Sequence, residues 1–75
     1  MDMIEIDARG LLCPLPVLKL AKRIKSLEAG AQVRLLADDP AAVVDVPHYC
    51  TETGHELVSV TNGAGCQVYL VRKSV

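Results

Sequence analysis

The sequence predicts an α+β fold: a two-layer α/β sandwich of order βαβαββ, with two helices covering one face of a four-stranded mixed sheet. Three observations carry this. Two stretches repeat apolar residues at helical spacing, four short stretches alternate them at a period of two or are rich in β-branched residues, and 75 residues leave room for one core. Two amphipathic helices and four half-buried strands bury their apolar sides most simply as two layers. Residues 1–75 read as a single domain, without repeats, low-complexity stretches or linkers.

The first strand runs from Met3 to Asp7, where Ile4 and Ile6 alternate with acidic neighbours, and Gly10 breaks it. From Pro14 onward Val17, Leu20, Ala21, Ile24 and Leu27 recur at helical spacing, while Lys19, Lys22, Arg23 and Lys25 fall largely on the remaining surface. Pro14 suits a first helical position, where a missing N–H costs nothing, and Gly30 suits a left-handed cap. Cys13 then stands at the N-cap. Gln32 to Asp38 places Val33, Leu35 and Ala37 on one face and Arg34 and Leu36 on the other, a second strand. Asp39 is expected to cap, and Pro40 to open, a second helix with Val43, Val46 and Cys50 on its buried stripe. Pro47 removes an internal hydrogen bond and is expected to kink or divide that helix, and Gly54 to end it. Glu56 to Thr61 and Cys66 to Lys73 flank Asn62-Gly63-Ala64-Gly65 and read as a hairpin. The sheet face without helices is then open. Members of Leu36, Val58, Val60, Tyr69 or Val71 on it would offer a docking or dimer surface, so a monomer or weak dimer is expected.

Composition narrows the function classes. No apolar stretch approaches the roughly 20 residues that cross a bilayer, so no membrane role is expected. A net charge of −1 argues against direct nucleic-acid binding, which depends on many Lys and Arg facing phosphates. The three cysteines, Cys13, Cys50 and Cys66, are an odd number, lie far apart and follow no secretory leader, which points to a reducing cytoplasm. The charges are uneven: Lys19, Lys22, Arg23 and Lys25 cluster in one segment, Asp38, Asp39 and Asp45 in another. The basic cluster is a candidate docking face for an acidic partner, with plain solvation as the ordinary alternative.

The chemistry concentrates at Cys13. A thiolate is the nucleophilic form of cysteine, and a helix N-terminus stabilises it through free N–H groups and the positive end of the dipole. At such an address the N–H groups of Leu15 and Val17 face the sulfur, and Arg9 adds positive charge if the Gly10 turn folds back. The ordinary alternative for a cysteine is burial as a small apolar residue. Pro14 and Pro16, just after it, favour an exposed, reactive Cys13 instead, whereas Cys50 on a helical stripe and Cys66, opening a strand whose alternate positions are Val68 and Leu70, read as core thiols. His48 and Cys50, two apart on a helix, point to different faces, so no metal site is expected. The sequence leaves open a pairing of Cys13 with His48 or His55. It contains no Cys-x-x-Cys and no phosphate-cradling glycine loop. Asp38 and Asp39 read as a strand end and a helix cap.

The stretch Asp7-Ala8-Arg9-Gly10-Leu11-Leu12-Cys13-Pro14-Leu15-Pro16-Val17 resembles the TusA/SirA-like sulfur-carrier family. Ala37-Asp38-Asp39-Pro40-Ala41, Asp45-Val46-Pro47 and Gly54-His55-Glu56-Leu57 extend the resemblance over nearly the whole chain. It implies a fold like the C-terminal domain of initiation factor three. It also implies that Cys13 takes sulfane sulfur as a persulfide from a cysteine desulfurase or rhodanese-like donor and passes it to an acceptor protein, without a cofactor. By the same resemblance Gly10 shapes the approach to Cys13, and Pro14 and Pro16 fix its exposure. Family acceptors serve tRNA thiolation, molybdenum cofactor assembly or sulfur oxidation, and other members are linked to selenium. Leu12 departs from the basic residue that well-known tRNA-thiolation carriers have beside the cysteine. Two readings of other classes compete with a sulfurtransferase: a non-catalytic binding module that uses the open sheet face, and a thiol redox sensor at Cys13.

Overall fold

The computed structural model describes residues 4–63 and 65–74. Its elements are β1 (Ile4–Asp7), α1 (Leu15–Ile24), β2 (Gln32–Ala37), α2 (Ala42–Thr53), β3 (Glu56–Asn62) and β4 (Gln67–Arg72), the expected βαβαββ order. They form one mixed sheet of order β1-β2-β4-β3, in which β1 and β2 are parallel and β4 is antiparallel to both neighbours. Met3, expected in the first strand, and Ala64, expected in the hairpin turn, lie outside the described residues.

Strand pairing settles which sheet face is buried. Register places Ile6 beside Leu35, Val33 opposite Val71, and Leu35 opposite Tyr69, all on the face that both helices cover. Leu20 and Ile24 of α1 and Ala42, Val46 and Cys50 of α2 close the core over them. Tyr69 and Val71 are therefore core residues and not part of the open face, a correction to the expectation above. The opposite face carries half-buried Leu36, Val68 and Leu70 beside the Arg34–Glu5 and Arg72–Glu56 ion pairs. Val60 shares Tyr69's face yet is exposed, because β3 is an edge strand beyond the helices' cover. A bulge at Val58 shifts the β3–β4 register between Leu57 and Ser59.

Both helices differ in detail from their expected forms. Helix α1 starts one residue later, with Pro14 as its N-cap and Pro16 inside its first turn, so Cys13 lies before the cap. It ends at Ile24, followed by turns in which Ser26 and Leu27 donate to the carbonyls of Arg23 and Ile24. Gly30, at φ 93°, shapes the entry to β2 and does not cap α1. Helix α2 begins after a turn in which the Asp39 carboxylate accepts the Ala41 N–H at 3.2 Å, so Asp39 sits before the cap residue, Ala41. Its buried ridge runs Ala42, Val46, Cys50 at every fourth residue, and Val43 is exposed. Pro47 leaves α2 undivided: the missing N–H costs one bond, and the helix runs through to a left-handed cap at Gly54.

Candidate functional site

Because β1 and β2 are parallel, the loops leaving them emerge at the same sheet edge, and α1 and α2 both start there. The loop after β1 carries Arg9, Gly10, Cys13 and Pro14, and the loop after β2 carries Asp38 and Asp39. The two acidic residues clamp the first loop by its backbone. Both Asp38 carboxylate oxygens accept the Gly10 N–H, at 3.0 and 3.1 Å, where the chain turns at φ 81°. The Asp39 carboxylate accepts the Cys13 N–H with one oxygen and the Ala41 N–H with the other. The sequence reading of this pair as strand end and helix cap thus misses their main contacts. Beyond Cys13 a cis peptide leads into Pro14, and Pro16 is buried beneath the helix start.

This arrangement presents Cys13 as an exposed, free thiol. It lines a shallow cleft of about 240 Å³ between the start of α1 and the outer side of α2, shared with Val17, Asp45, His48, Tyr49 and Glu52. The thiol donates a hydrogen bond to the Asp45 carboxylate. His48 and Glu52 pair across one turn of α2 at 3.0 Å. Exposed Leu12, Leu15 and Leu18 give the Cys13 end of the molecule an apolar border.

The electrostatics reverse the sequence expectation. The Cys13 thiol is pushed above the ordinary cysteine value, first by its hydrogen bond to Asp45, then by partial removal from water and the negative charges of Asp45 and Asp39. A helix start was expected to lower it, but the Leu15 N–H is taken by the Leu12 carbonyl at 2.8 Å. Nor does Arg9 serve Cys13. Its guanidinium forks onto Asp7 through two bonds of 2.9 Å, which holds the Asp7 carboxyl well below the usual carboxylate range.

The basic cluster divides. Lys19, Lys22 and Arg23 border a groove of about 540 Å³ along β1 with Glu5 and Asp7, and Lys19 donates to the Asp7 carbonyl at 2.8 Å. Lys25 faces a different hollow, beside Tyr49, His55 and Lys73. Cys50 and Cys66 are buried, as expected, and burial pushes the Cys50 thiol up. Of the two histidines, only His48 lines the Cys13 cleft. The His55 Nδ1 accepts the Ser74 N–H at 3.3 Å, and its ring packs near Tyr49. No cluster of three or more metal-ligating side chains occurs among the described residues, and no helix there is long and apolar enough to cross a membrane.

Asp45, Asp39 and Asp38 are the site residues that sequence reasoning missed, while His48, left open there as a partner of Cys13, lines the cleft without a hydrogen bond to the thiol among the described residues. The available signal was the βαβ order itself, since parallel pairing of the first two strands brings their following loops together.

Comparison with known proteins agrees with this fold. The family described as sulfurtransferase TusA matches over residues 4–73. The chain is 41% identical over 68 residues to a sulfur carrier protein TusA of Pseudomonas entomophila, covering 91% of this chain and 85% of the relative. It is likewise 41% identical over 69 residues to the protein of that name in Pseudomonas syringae pv. syringae, covering 92% and 82%. Among solved structures, a SirA-like protein from Desulfitobacterium hafniense superposes with a TM-score of 0.84 at 27% identity, over 97% of this chain and 100% of that one.

Proposed function

The chain belongs to the TusA sulfurtransferase family, and from that premise we propose that it carries sulfane sulfur as a persulfide on Cys13 in the cytoplasm. A cysteine desulfurase or rhodanese-like protein loads Cys13, and an acceptor protein's cysteine then attacks the outer sulfur. The observation that carries this reading is an exposed thiol on a loop whose backbone is tied down at Gly10 and Cys13. A carrier must present its sulfur to two partners in turn, and clamping the loop lowers the entropy each encounter must remove. Leu12, Leu15 and Leu18 supply apolar surface for those partners around the thiol. Pro14 and Pro16 stiffen the same segment, and no cofactor is required by the exchange.

The test is intact-mass spectrometry after incubation with a cysteine desulfurase, cysteine and pyridoxal phosphate, comparing the native chain with Cys13→Ser. One added sulfur that a reductant removes, absent from the variant, is expected. No gain from this donor or from thiosulfate with a rhodanese leaves a non-catalytic binding module as the reading. Survival of partner binding in Cys13→Ser at unchanged stability would support that second reading.

A further inference from the structure

Resting on the reading of Cys13 as the sulfur-carrying residue, we infer that Asp45 holds the proton of the Cys13 thiol at rest and accepts it when the thiol attacks a donor persulfide. Asp45 stands in the first turn of α2 and reaches the Cys13 sulfur across the cleft. An ionised carboxylate only accepts hydrogen bonds, so in the Cys13–Asp45 contact the proton belongs to sulfur. Among the described residues, no other ionisable side chain hydrogen-bonds the Cys13 sulfur. Asp39 is engaged with the backbone N–H of Cys13 and Ala41, and His48 and Glu52 are paired with each other. Tyr49, on the cleft wall, is held further toward its protonated form by burial. The neighbouring cations Arg9 and Lys19 are both engaged at Asp7.

The step balances without an oxidant or reductant. The Cys13 S–H proton passes to the Asp45 carboxylate as the sulfur attacks the outer sulfur of the donor persulfide. A new S–S bond forms on Cys13, the donor's S–S bond breaks, and the departing donor thiolate takes the proton back from Asp45. The donor cysteine ends as a thiol and Cys13 as a persulfide, and Asp45 is regenerated as the carboxylate.

Asp45→Asn keeps the shape and removes the charge. Cys13 alkylation by iodoacetamide, followed by mass across about pH 6 to 10, is expected to shift its midpoint to lower pH in the variant and to run roughly threefold or more faster near neutrality. Persulfide loading from the desulfurase is expected to slow by roughly threefold or more, although more thiolate is present. An unmoved alkylation profile, or loading at the native rate, overturns the inference. Should Asp45→Asn fail to fold, carbon-13 NMR of the native chain decides. The Asp45 carboxyl carbon is expected to shift at the pH where the Cys13 β-carbon titrates, and no such response overturns the contact. If the native chain gains no sulfur while the alkylation profile still moves, the carrier reading falls and Asp45 stands as holder of the thiol proton.

Discussion

Truncating the carboxylates that clamp the Cys13 loop gives a prediction that can be worked through from the contacts. Asp38→Ala frees one backbone amide, that of Gly10, and Asp39→Ala frees two, those of Cys13 and Ala41. Hydrogen bonds to charged groups contribute about 1.5–3 kcal/mol when sheltered, but water replaces a lost partner on this exposed loop, so about 1 kcal/mol per amide is the working value. Each such loss lowers Tm by about 4–8 °C in a domain of this size. Locally, about 1 kcal/mol speeds amide exchange roughly fivefold if the loop opens independently of the sheet. Hydrogen–deuterium exchange on the segment from Ala8 to Pro14, with β2 amides as the internal reference, reads this directly. Asp38→Ala is expected to expose the Gly10 amide, Asp39→Ala the Cys13 amide, and Asp39→Asn to restore most protection at Cys13 because an acceptor remains. The two effects share one loop and need not add. Unchanged exchange at both amides in the double variant, with thermal unfolding also unmoved, would refute the clamp and with it the case for a preorganised thiol.

Tyr69→Phe is expected to raise stability by about 1 kcal/mol, because the Tyr69 hydroxyl is buried without a hydrogen-bond partner among the described residues. Urea unfolding checks it; a loss of that size would show that the hydroxyl is satisfied in solution, and sulfur loading should not change. Charge reversal at Lys22 and Arg23, which border the groove along β1, is expected to slow loading from the cognate donor severalfold at low salt and to leave iodoacetamide reactivity alone. Equal loading rates across a salt series would reduce that groove to a solvated surface.

The elements were legible because each carries its own period, from the alternation of Ile4 and Ile6 to the helical recurrence of Leu20 and Ile24. What the period could not decide was the buried face where both faces are apolar. Val68, Tyr69, Leu70 and Val71 form a continuous apolar run on an interior strand, so Tyr69 and Val71 were open to assignment on either side until pairing with Leu35 and Val33 placed them in the core. The adjacent pair Val43 and Val44 hid the α2 ridge in the same way, and the four-residue step through Ala42, Val46 and Cys50 emerges only from packing. At the site, the two prolines that follow it, Pro14 and Pro16, sufficed to single out Cys13. Its acidic partners did not follow, because Asp39 and Asp45 stand 26 and 32 residues away in sequence and meet it only through parallel pairing of β1 with β2. The direction of the thiol's shift was lost for that reason: an argument confined to the start of α1 contains the helix dipole and omits the carboxylates.

Those carboxylates bear on how a carrier avoids spending its reactivity on the wrong partner. A cysteine poised as thiolate is open to every oxidant and electrophile that reaches an exposed loop. Cys13 is exposed, but Asp45 and Asp39 keep its proton in place, so exposure and reactivity are separated. On the proposed function, the same charges would also repel a persulfide anion on Cys13, and they would equally disfavour the Cys13 thiolate that onward transfer leaves behind. The arrangement thus slows indiscriminate capture of an exposed thiol. On the proposed function, a donor whose docking brings its persulfide to Cys13 would draw the thiol proton onto Asp45 only within the complex, which ties sulfur uptake to recognition of the protein that brings it.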